Sequence, residues 1–258
     1  MIKYIYLWLK WGIGKRSNLL KAALLRNTIG YFQKVLKKLD YTSRLDISAT
    51  DVRVQKSNQW FYVLSNKFFK NSSKENEASY IPKIDNPKVV IDAGAFIGEF
   101  TCYFANAYPQ AMVYVIEMSS LHCQYIEKNV KLNNLHNVKI TNAALSDKVG
   151  SSSYAEKISS SALGTGDKPV ATTTLKQFCA DNNIEVIDFI KIDIEGSEPL
   201  LANDIDDMLS EGRIKNAFIE MGRVRDIADY QELIGVFEKH GFEVKEFWPT
   251  NYWITKKT

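Results

Sequence analysis

The sequence predicts an α/β fold in which helices cover both faces of a mostly parallel β-sheet that ends in an antiparallel hairpin. From residue 88 to residue 240, short apolar runs alternate with segments of helical period. A glycine-rich turn at residues 92–98 joins the first apolar run to the first helical segment. Two aromatic-rich runs flank Pro249-Thr250-Asn251, which is typical of a hairpin. Alternating strands and helices of this kind form parallel sheets buried between helices.

The first 40 residues form a basic segment that we predict to be a helical arm. They carry nine Lys or Arg and one acid, whereas the rest of the chain has 24 basic and 29 acidic residues. Apolar residues recur there at helical spacing, with lysines between them. We expect residues 1–40 either to pack as a cap on the main domain or to contact an anionic membrane surface.

The arm has neither the length of a membrane-spanning helix nor the pattern of a signal peptide. Its uninterrupted apolar run, residues 4–9, has six residues and ends at Lys10, whereas a span needs ~20. The cysteines form no C-x-x-C pair and are odd in number, which favours free, buried thiols in a reducing compartment. We therefore expect a cytoplasmic protein, with peripheral contact to the inner membrane surface as an option. The cysteines are Cys102, Cys123 and Cys179.

Residues 41–87 connect the arm to the main domain, residues 88–258. We expect short strands in 41–70 and a polar linker in 71–87. The Ser- and Gly-rich stretch 150–170 is long for a connection, and long loops beside a site are often lids. The main domain's strands are predicted at 88–92, 111–117, 138–145, 187–193, 216–221, 242–248 and 252–257, and its helices at 97–107, 120–133, 173–182, 198–210 and 227–240.

The turn at residues 92–98 favours an adenosyl ligand. Its glycines, Gly94 and Gly98, let a ligand approach the backbone, and the helix that follows offers unpaired N–H groups. A dinucleotide-binding G-x-G-x-x-G turn begins with a glycine, whereas this turn begins with Asp92. The pattern therefore favours S-adenosylmethionine (SAM) over NAD.

Acidic residues end four of the five predicted parallel strands. Ligands of open α/β sheets bind beyond the carboxyl ends of the strands, so these acids meet at the expected site. Glu117 lies 23 residues after Gly94, close to the spacing at which a carboxylate reaches ribose hydroxyls. His122 follows in the next helix and is expected nearer the ribose than the acceptor. The strand-end acids are Asp92, Glu117, Asp193 with Glu195, and Glu220.

The fourth strand ends in the group of candidate catalytic residues. Lys191, Asp193 and Glu195 alternate along the chain and so point to one side of the sheet. Asp193 or Glu195, with Glu220 alongside, could accept a proton from a hydroxyl, or these acids could only order loops and substrate. Lys191 is either part of this site or an internal ion-pair partner. Asp193 and Glu220 end neighbouring strands and could also hold Mg²⁺. We interpret Glu198 as a helix N-terminal carboxylate.

The segment VVIDAGAFIGEFT, a strand ending in Glu117, then NAALSD and DFIKIDIEGSE, in this order, resemble the FkbM family of SAM-dependent methyltransferases. The likeness covers about residues 88–220, and KIDIEGSE is its most distinctive element. The resemblance implies the Rossmann-like class I methyltransferase fold, with a seven-stranded sheet of order 3-2-1-4-5-7-6 and strand seven antiparallel. It also implies methyl transfer to hydroxyls of sugars or natural products.

The resemblance further implies a cofactor site. The glycine turn would cradle the methionine part of SAM, Glu117 would hold the ribose, and the end of strand three would face the adenine. Phe96 stands where the family often has a small polar residue, and Met118 where proline is usual. Ala144 replaces an aspartate common in class I enzymes, so backbone groups would read the adenine. The implied cofactor residues are Asp92, Gly94, Ala95, Phe96, Gly98, Thr101, Glu117, Met118, Asn142, Ala143, Ala144 and Asp193.

The acceptor site is expected beside strands five and seven. Arg223 and Arg225 could meet a phosphate or an acidic sugar, or be solvated surface residues. Trp248 and Tyr252 flank the hairpin turn and could stack on a sugar ring or pack within the hairpin. We expect an O-methyltransferase acting on a glycan or glycolipid precursor; the alternatives are a soluble secondary metabolite as acceptor, or a SAM-fold binding protein without turnover. Nucleic acid is not expected, because the main domain is net acidic.

Overall fold

The structure, a computed structural model, describes residues 44–47, 52–56, 59–62, 84–155, 162–221, 227–248 and 250–257. The predictions for the arm, residues 1–40, and for Arg223 and Arg225 lie outside these residues, and Trp248 is described only as part of its strand. The chain divides into two compact units, Met1–Lys74 and Glu75–Thr258.

The first unit contains a three-stranded antiparallel sheet. Its strands are β1 (Arg44–Ile47), β2 (Val52–Lys56) and β3 (Gln59–Tyr62), in the order β1-β2-β3. They lie within the segment 41–70, where short strands are predicted.

The second unit is built around a seven-stranded sheet. The strands of this unit are β4 (Val89–Ala93), β5 (Met112–Glu117), β6 (Val138–Asn142), β7 (Ala144–Leu145), β8 (Gly150–Tyr154), β9 (Lys168–Thr173), β10 (Phe189–Ile192), β11 (Asn216–Glu220), β12 (Phe242–Trp248) and β13 (Asn251–Lys256). The helices are α1 (Glu99–Ala107), α2 (Ser120–Leu132), α3 (Leu175–Asp181), α4 (Ala202–Ser210) and α5 (Ile227–Lys239).

The order of the large sheet confirms the predicted fold class. It runs β12-β13-β11-β10-β4-β5-β6, and β13 is antiparallel to both of its neighbours. Counted along the large sheet in chain order, this is 3-2-1-4-5-7-6 with the seventh strand antiparallel. The central strands β4 and β10 are almost wholly buried, as expected for apolar runs covered on both faces.

Two apolar cores lie on opposite faces of the large sheet. Val90 and Ile91 are neighbours on β4 and therefore point to opposite faces. Val90 packs in a cluster with residues of α1 and α2, including Phe104. Ile91 packs in a larger cluster with residues of α3, α4 and α5, including Phe237. The sheet is thus held between helices and presents the carboxyl ends of its parallel strands at one edge.

The predicted third strand, 138–145, is divided between two sheets. Residues up to Asn142 pair with β5 in the large sheet, whereas Ala144 and Leu145 pair with β9. β9 also pairs with β8. The strands β7-β9-β8 therefore form the second sheet of this unit, and they lie where a long connection is predicted.

Helix boundaries differ from the predictions where the backbone is constrained. α1 begins at Glu99 rather than at residue 97, because Phe96 and Gly98 have positive φ angles of 53° and 80°. The predicted helix 198–210 begins as a 3₁₀ turn, Glu198–Leu201, and continues as α4.

The structure bears on the predictions for the cysteines and for membrane-spanning helices. The three cysteines are free and buried, as predicted, and burial raises the pKa of Cys102 and Cys123 to about 12 and that of Cys179 to about 11. Among the residues that the structure describes, no helix has the length and apolar character to cross a membrane.

Candidate active site

The glycine turn after β4 touches the loop after β10. Gly94 has a φ of 77°, and a Cβ at this position would overlap the carbonyl oxygen of Asp193. Gly98 has a φ of 80°, and a Cβ there would lie 3.0 Å from Ile126. Both positions therefore need glycine, since L side chains rarely adopt this backbone conformation. The two loops are packed backbone to backbone and form one side of the site.

A buried lysine joins these two loops. The Nζ atom of Lys191 donates to Asp193 Oδ2 at 3.1 Å and to the carbonyl oxygen of Gly94 at 3.2 Å. Asp92 Oδ1 lies 3.7 Å from the same ammonium, and its Oδ2 accepts a hydrogen bond from Thr101. Lys191 is thus the internal ion-pair partner that the sequence left as an alternative.

The charges of this cluster act on one another. Burial disfavours the ammonium of Lys191, but the carboxylates of Asp193 and Asp92 outweigh it and raise the pKa of Lys191. Burial raises the pKa of Asp92, while Lys191 and the Thr101 hydroxyl act in the opposite direction. Lys191 therefore stays protonated and is unsuited to accept a proton.

The carboxylate of Glu117 accepts hydrogen bonds from two backbone N–H groups at the end of β5. Oε2 accepts from the backbone N–H of Phe96 at 2.9 Å, and Oε1 from that of Ser119 at 2.9 Å. His122 Nδ1 lies 3.3 Å from Oε1. These contacts fix Glu117 at the edge of the cleft.

Glu198 orders the loop that carries Asp193 and Glu195. Its carboxylate is fully buried and accepts from the backbone N–H of Ile194 at 2.8 Å and of Gly196 at 3.0 Å. The hydroxyl of Tyr230, on α5, donates to it at 2.8 Å. Burial raises the pKa of Glu198, against the effect of these hydrogen bonds. Glu198 is therefore more than the helix N-terminal carboxylate that the sequence predicts, because it also fixes the loop between β10 and the 3₁₀ turn.

A cleft opens between these loops and the second sheet. Seven of the twelve predicted cofactor residues line it: Gly94, Phe96, Glu117, Met118, Ala143, Ala144 and Asp193. Glu195 lines it as well, on the same loop as Asp193. One end is therefore acidic and close to the glycine turn, and the other end is apolar.

The family of the chain follows from its sequence. Residues 92–244 match the model of the methyltransferase FkbM domain, which is more than half of the chain. The chain belongs to the FkbM methyltransferase family. It is therefore a SAM-dependent methyltransferase, and its strand order is that of class I enzymes. No curated protein matches the chain significantly.

Solved structures similar to this FkbM methyltransferase have low sequence identity. The N-terminal domain of human METTL16 in complex with S-adenosylhomocysteine (SAH) has 15% identity and a TM-score of 0.43, covering 86% of this chain and 79% of its own. M. jannaschii TYW2 in complex with AdoMet has 16% identity and a TM-score of 0.41, covering 80% and 83%. M. capricolum TrmK in complex with SAH has 14% identity and a TM-score of 0.40, covering 76% and 70%. Similarity at this level does not extend to acceptors.

The cleft of this FkbM methyltransferase fits SAM. Gly94 places main chain without a side chain at the wall of the cleft, and Glu117 presents carboxylate oxygens that can accept hydrogen bonds from a ribose diol. Beyond Glu117 the lining is apolar, with Met118 and Ala144, and suits the faces of an adenine ring. When bound, SAM supplies an electrophilic methyl group.

Five predicted cofactor residues support the cleft without lining it. The hydroxyl of Thr101 donates a hydrogen bond to the carboxylate of Asp92 in the protein interior. Ala95 and Gly98 shape the turn, in which the N–H of Gly98 donates to the carbonyl of Ala95. Asn142 is exposed, and its amide donates to the main-chain carbonyls of residues 117 and 118. Asn142 thus fixes the end of β5.

Two predicted site residues are not among those that line the cleft. Glu220 ends β11, half-buried, and its charge is one of those that raise the pKa of Lys191. Tyr252 lies on β13 opposite Ile219, packed against the apolar core, and burial with the carboxylate of Glu246 raises its pKa. Tyr252 is therefore a packing residue of the hairpin in this arrangement.

The cleft includes one residue that is expected near the ribose but has no predicted role, and one that the predicted site omits. His122 lines the cleft, with its ring 4.8 Å from that of Phe96 in an edge-to-face arrangement. Leu163, from the second sheet, lines it as well. Its neighbours in the chain are small and polar, so no apolar pattern marks it in the sequence.

The arrangement of charges does not favour Mg²⁺ at Asp193 and Glu220. Within the described residues, no three His, Cys, Asp or Glu side chains are grouped as a metal site requires. The ammonium of Lys191 already pairs with Asp193 Oδ2, and a second cation at this carboxylate would be repelled.

Proposed function

We propose that this FkbM methyltransferase methylates a hydroxyl oxygen of a glycan or glycolipid precursor. The observation that supports O-methylation is the pair of carboxylates, Asp193 and Glu195, which line the cleft on the loop packed against Gly94. A hydroxyl must lose its proton as its oxygen is methylated, and a carboxylate beside it can accept that proton.

Each residue of the site has its own role in the proposed methyl transfer. Gly94 and Glu117 would hold the cofactor, whose methyl group would pass to the acceptor oxygen with SAH as the leaving group. Asp193 or Glu195 accepts the proton of the acceptor hydroxyl, with Glu220 on the neighbouring strand as a further acceptor of hydrogen bonds. Lys191 positions Asp193 through the bond of 3.1 Å. Holding the acceptor hydroxyl close to the methyl donor contributes further to the rate.

Site-directed variants test the role of the acids. We expect Asp193→Asn, Glu195→Gln and Glu220→Gln to lower methyl transfer, with the largest loss, about 100-fold or more, at the residue that accepts the proton. SAH binding, measured by calorimetry, should change little in Glu195→Gln and Glu220→Gln, whereas Asp193 is also a predicted cofactor residue. Full activity in all three would exclude the acids as bases. SAH binding without turnover on any acceptor would favour a binding protein.

The acceptor can be identified by comparing the glycans and glycolipids of cells that have the gene with those of cells that lack it. Mass spectrometry of glycans and glycolipids, with and without the gene, should show the loss of one methyl group from one species. Loss of a methyl group from a soluble secondary metabolite instead would identify the alternative acceptor. Methylated nucleic acid would contradict the proposal, which places no nucleic acid at the site.

The basic arm provides a second part of the proposal, a cytoplasmic enzyme that contacts the inner membrane surface. Residues 1–40 carry nine basic residues and one acid, which suits an anionic lipid surface. The full chain should float with vesicles containing anionic lipid at low salt, and less at high salt. Absence of flotation would favour the arm as a cap and a soluble acceptor.

The Mg²⁺ hypothesis has a direct test in the same assay. If Asp193 and Glu220 hold the ion, EDTA treatment abolishes methyl transfer and added Mg²⁺ restores it. Full activity after EDTA treatment would eliminate the ion from the reaction.

A further inference from the structure

The segment between β7 and α3 carries a side chain into the cleft from outside the large sheet. β8 and β9 pair with each other and with β7, and Leu163 lies between them in the chain. Leu163 lines the apolar end of the cleft, together with Met118 and Ala144. The stretch predicted as a long connection thus contributes a wall of the site.

The backbone around Leu163 is fixed by local hydrogen bonds. Leu163 forms an antiparallel bridge with Tyr154, and the N–H of Gly164 donates to the carbonyl of Ser153 at 2.7 Å. The hydroxyl of Thr165 donates to the carbonyl of Ala162 at 2.6 Å. The turn therefore presents Leu163 in one defined position.

Tyr154 connects this turn to the start of α2, close to the end of β5 that carries Glu117. Its side chain is 2% exposed, and its hydroxyl accepts a hydrogen bond from the N–H of Ser120, the first residue of α2. Met118 lies two residues before Ser120, and both Met118 and Leu163 pack on the cluster of Ala144, Tyr154 and Val170. Contacts with this shared cluster therefore hold Leu163 and Met118 in place before any ligand binds.

The chemistry of this end of the cleft matches a nucleobase. Glu117 marks the place of the ribose, and the next surfaces along the cleft are the side chains of Met118, Ala144 and Leu163. A purine ring has apolar faces, and apolar walls next to a sugar-binding carboxylate favour it over a polar group. We propose that Leu163 is a specificity-determining residue, which packs against the adenine ring of SAM from the second sheet.

Calorimetry with SAH and with adenosine tests this role without any turnover. Leu163→Ala should weaken both ligands by the same factor, about tenfold, because a leucine side chain buried against a ligand contributes about 1.5 kcal/mol or more and 1.4 kcal/mol is tenfold. Leu163→Met keeps an apolar side chain of similar volume and should stay within threefold of the wild type.

Two controls separate contact from fold. Val149→Ala removes an apolar side chain that is 62% exposed, just before β8, and should leave both affinities unchanged. Tyr154→Phe loses the bond to Ser120 and keeps the ring, so we expect a smaller loss for both ligands than in Leu163→Ala.

The outcomes decide the role of Leu163. An affinity of Leu163→Ala within twofold of the wild type would show that Leu163 does not contact the ligand. Loss for SAH without loss for adenosine would place the contact away from the base and also overturn the proposal. An equal loss in Leu163→Met would mean that the turn, and not the side chain, governs binding. Because neither ligand carries an acceptor, all these results are independent of the proposed O-methylation.

Discussion

At the scale of single residues, the site depends on a glycine that no other residue can replace. Gly94 combines a φ of 77° with backbone contact to Asp193, so an added Cβ has both a strained conformation and no space. Gly212 has a similar φ of 69°, but a Cβ there would meet nothing within 4 Å. The two positions therefore separate backbone strain from steric overlap.

Gly212→Ala should lower the free energy of unfolding by about 1–2 kcal/mol, the cost of left-handed backbone for an L residue. Gly94→Ala should lose this amount and a further ~1–3 kcal/mol for overlap, with loss of SAH binding. Urea unfolding and calorimetry measure both effects. Equal destabilisation by the two substitutions would show that the loops move apart without cost.

Glu198 is a residue whose role depends on the folded chain. Glu198→Gln replaces one carboxylate oxygen by an NH₂ group that faces N–H donors, so the loop of Ile194 and Gly196 loses its order. We expect kcat to fall about tenfold to 100-fold, a cost of about 1.4–2.8 kcal/mol, with a smaller change in the Kd for SAH. Glu232→Gln, an exposed change on α5, is the matched control. Unchanged kcat in Glu198→Gln would contradict a positioning role.

Sequence reasoning could reach some of these residue contacts and not others. Lys191 lies on β10 and Asp193 directly follows it, two positions later, so the period of the predicted strand places them on one side. The partners of Glu198 include Tyr230, 32 residues later on another helix, and no local pattern connects the two. Local periodicity predicts neighbours on one element, whereas the packing of two elements decides contacts like this one.

At the scale of secondary-structure elements, Asp188 joins three strands at the edge of the sheet opposite the site. Its Oδ2 accepts from the N–H groups of Lys88 and Val89 at the start of β4, at 2.7 and 3.0 Å. Its Oδ1 accepts from Lys215 Nζ, just before β11, at 2.7 Å. Partial burial opposes the charge of Asp188, but these hydrogen bonds outweigh it and lower its pKa.

The lowered pKa of Asp188 predicts a pH-dependent stability. The ionised group stabilises the folded state above the pKa of an unfolded aspartate, near 3.9, and this stability is lost as the pH falls through the lower folded pKa. At pH 7, Asp188→Asn should therefore lower the free energy of unfolding by about 1.5–3 kcal/mol, and the difference should shrink below about pH 4. Asp85→Asn, at an exposed position, is the control. A difference that is constant with pH would contradict this assignment.

The elements were predictable where their apolar pattern was strong. VVIDA and FIKI are apolar runs that form the buried centre of the sheet, and they were predicted within two residues of their observed ends. β8, GSSSY, has small polar side chains and lies on the smaller sheet, so its pattern could not distinguish a strand from a loop. The break at Ala143 was missed for a related reason, because β6 and β7 share one continuous run but pair with different partners.

At the scale of the whole molecule, the cofactor should act as a stabilising ligand. Elements that are far apart in the sequence meet at the cleft, since Gly94, Leu163 and Asp193 all line it. A ligand that binds the folded state alone stabilises the fold that brings these residues together. The strand order and the acidic first residue of the turn both favour an adenosyl methyl donor over NAD.

SAH at 100 times its Kd should therefore raise the free energy of unfolding by about 2.7 kcal/mol, since only the folded chain binds it. NADH at the same concentration should leave the unfolding curve unchanged, because the turn begins with Asp92 where dinucleotide folds have glycine. Glu117→Gln should abolish the SAH effect, because its new NH₂ group would face donors and could not accept both ribose hydroxyls. Glu127→Gln, an exposed change on α2, should preserve the effect. Stabilisation by NADH equal to that by SAH would contradict the cofactor assignment.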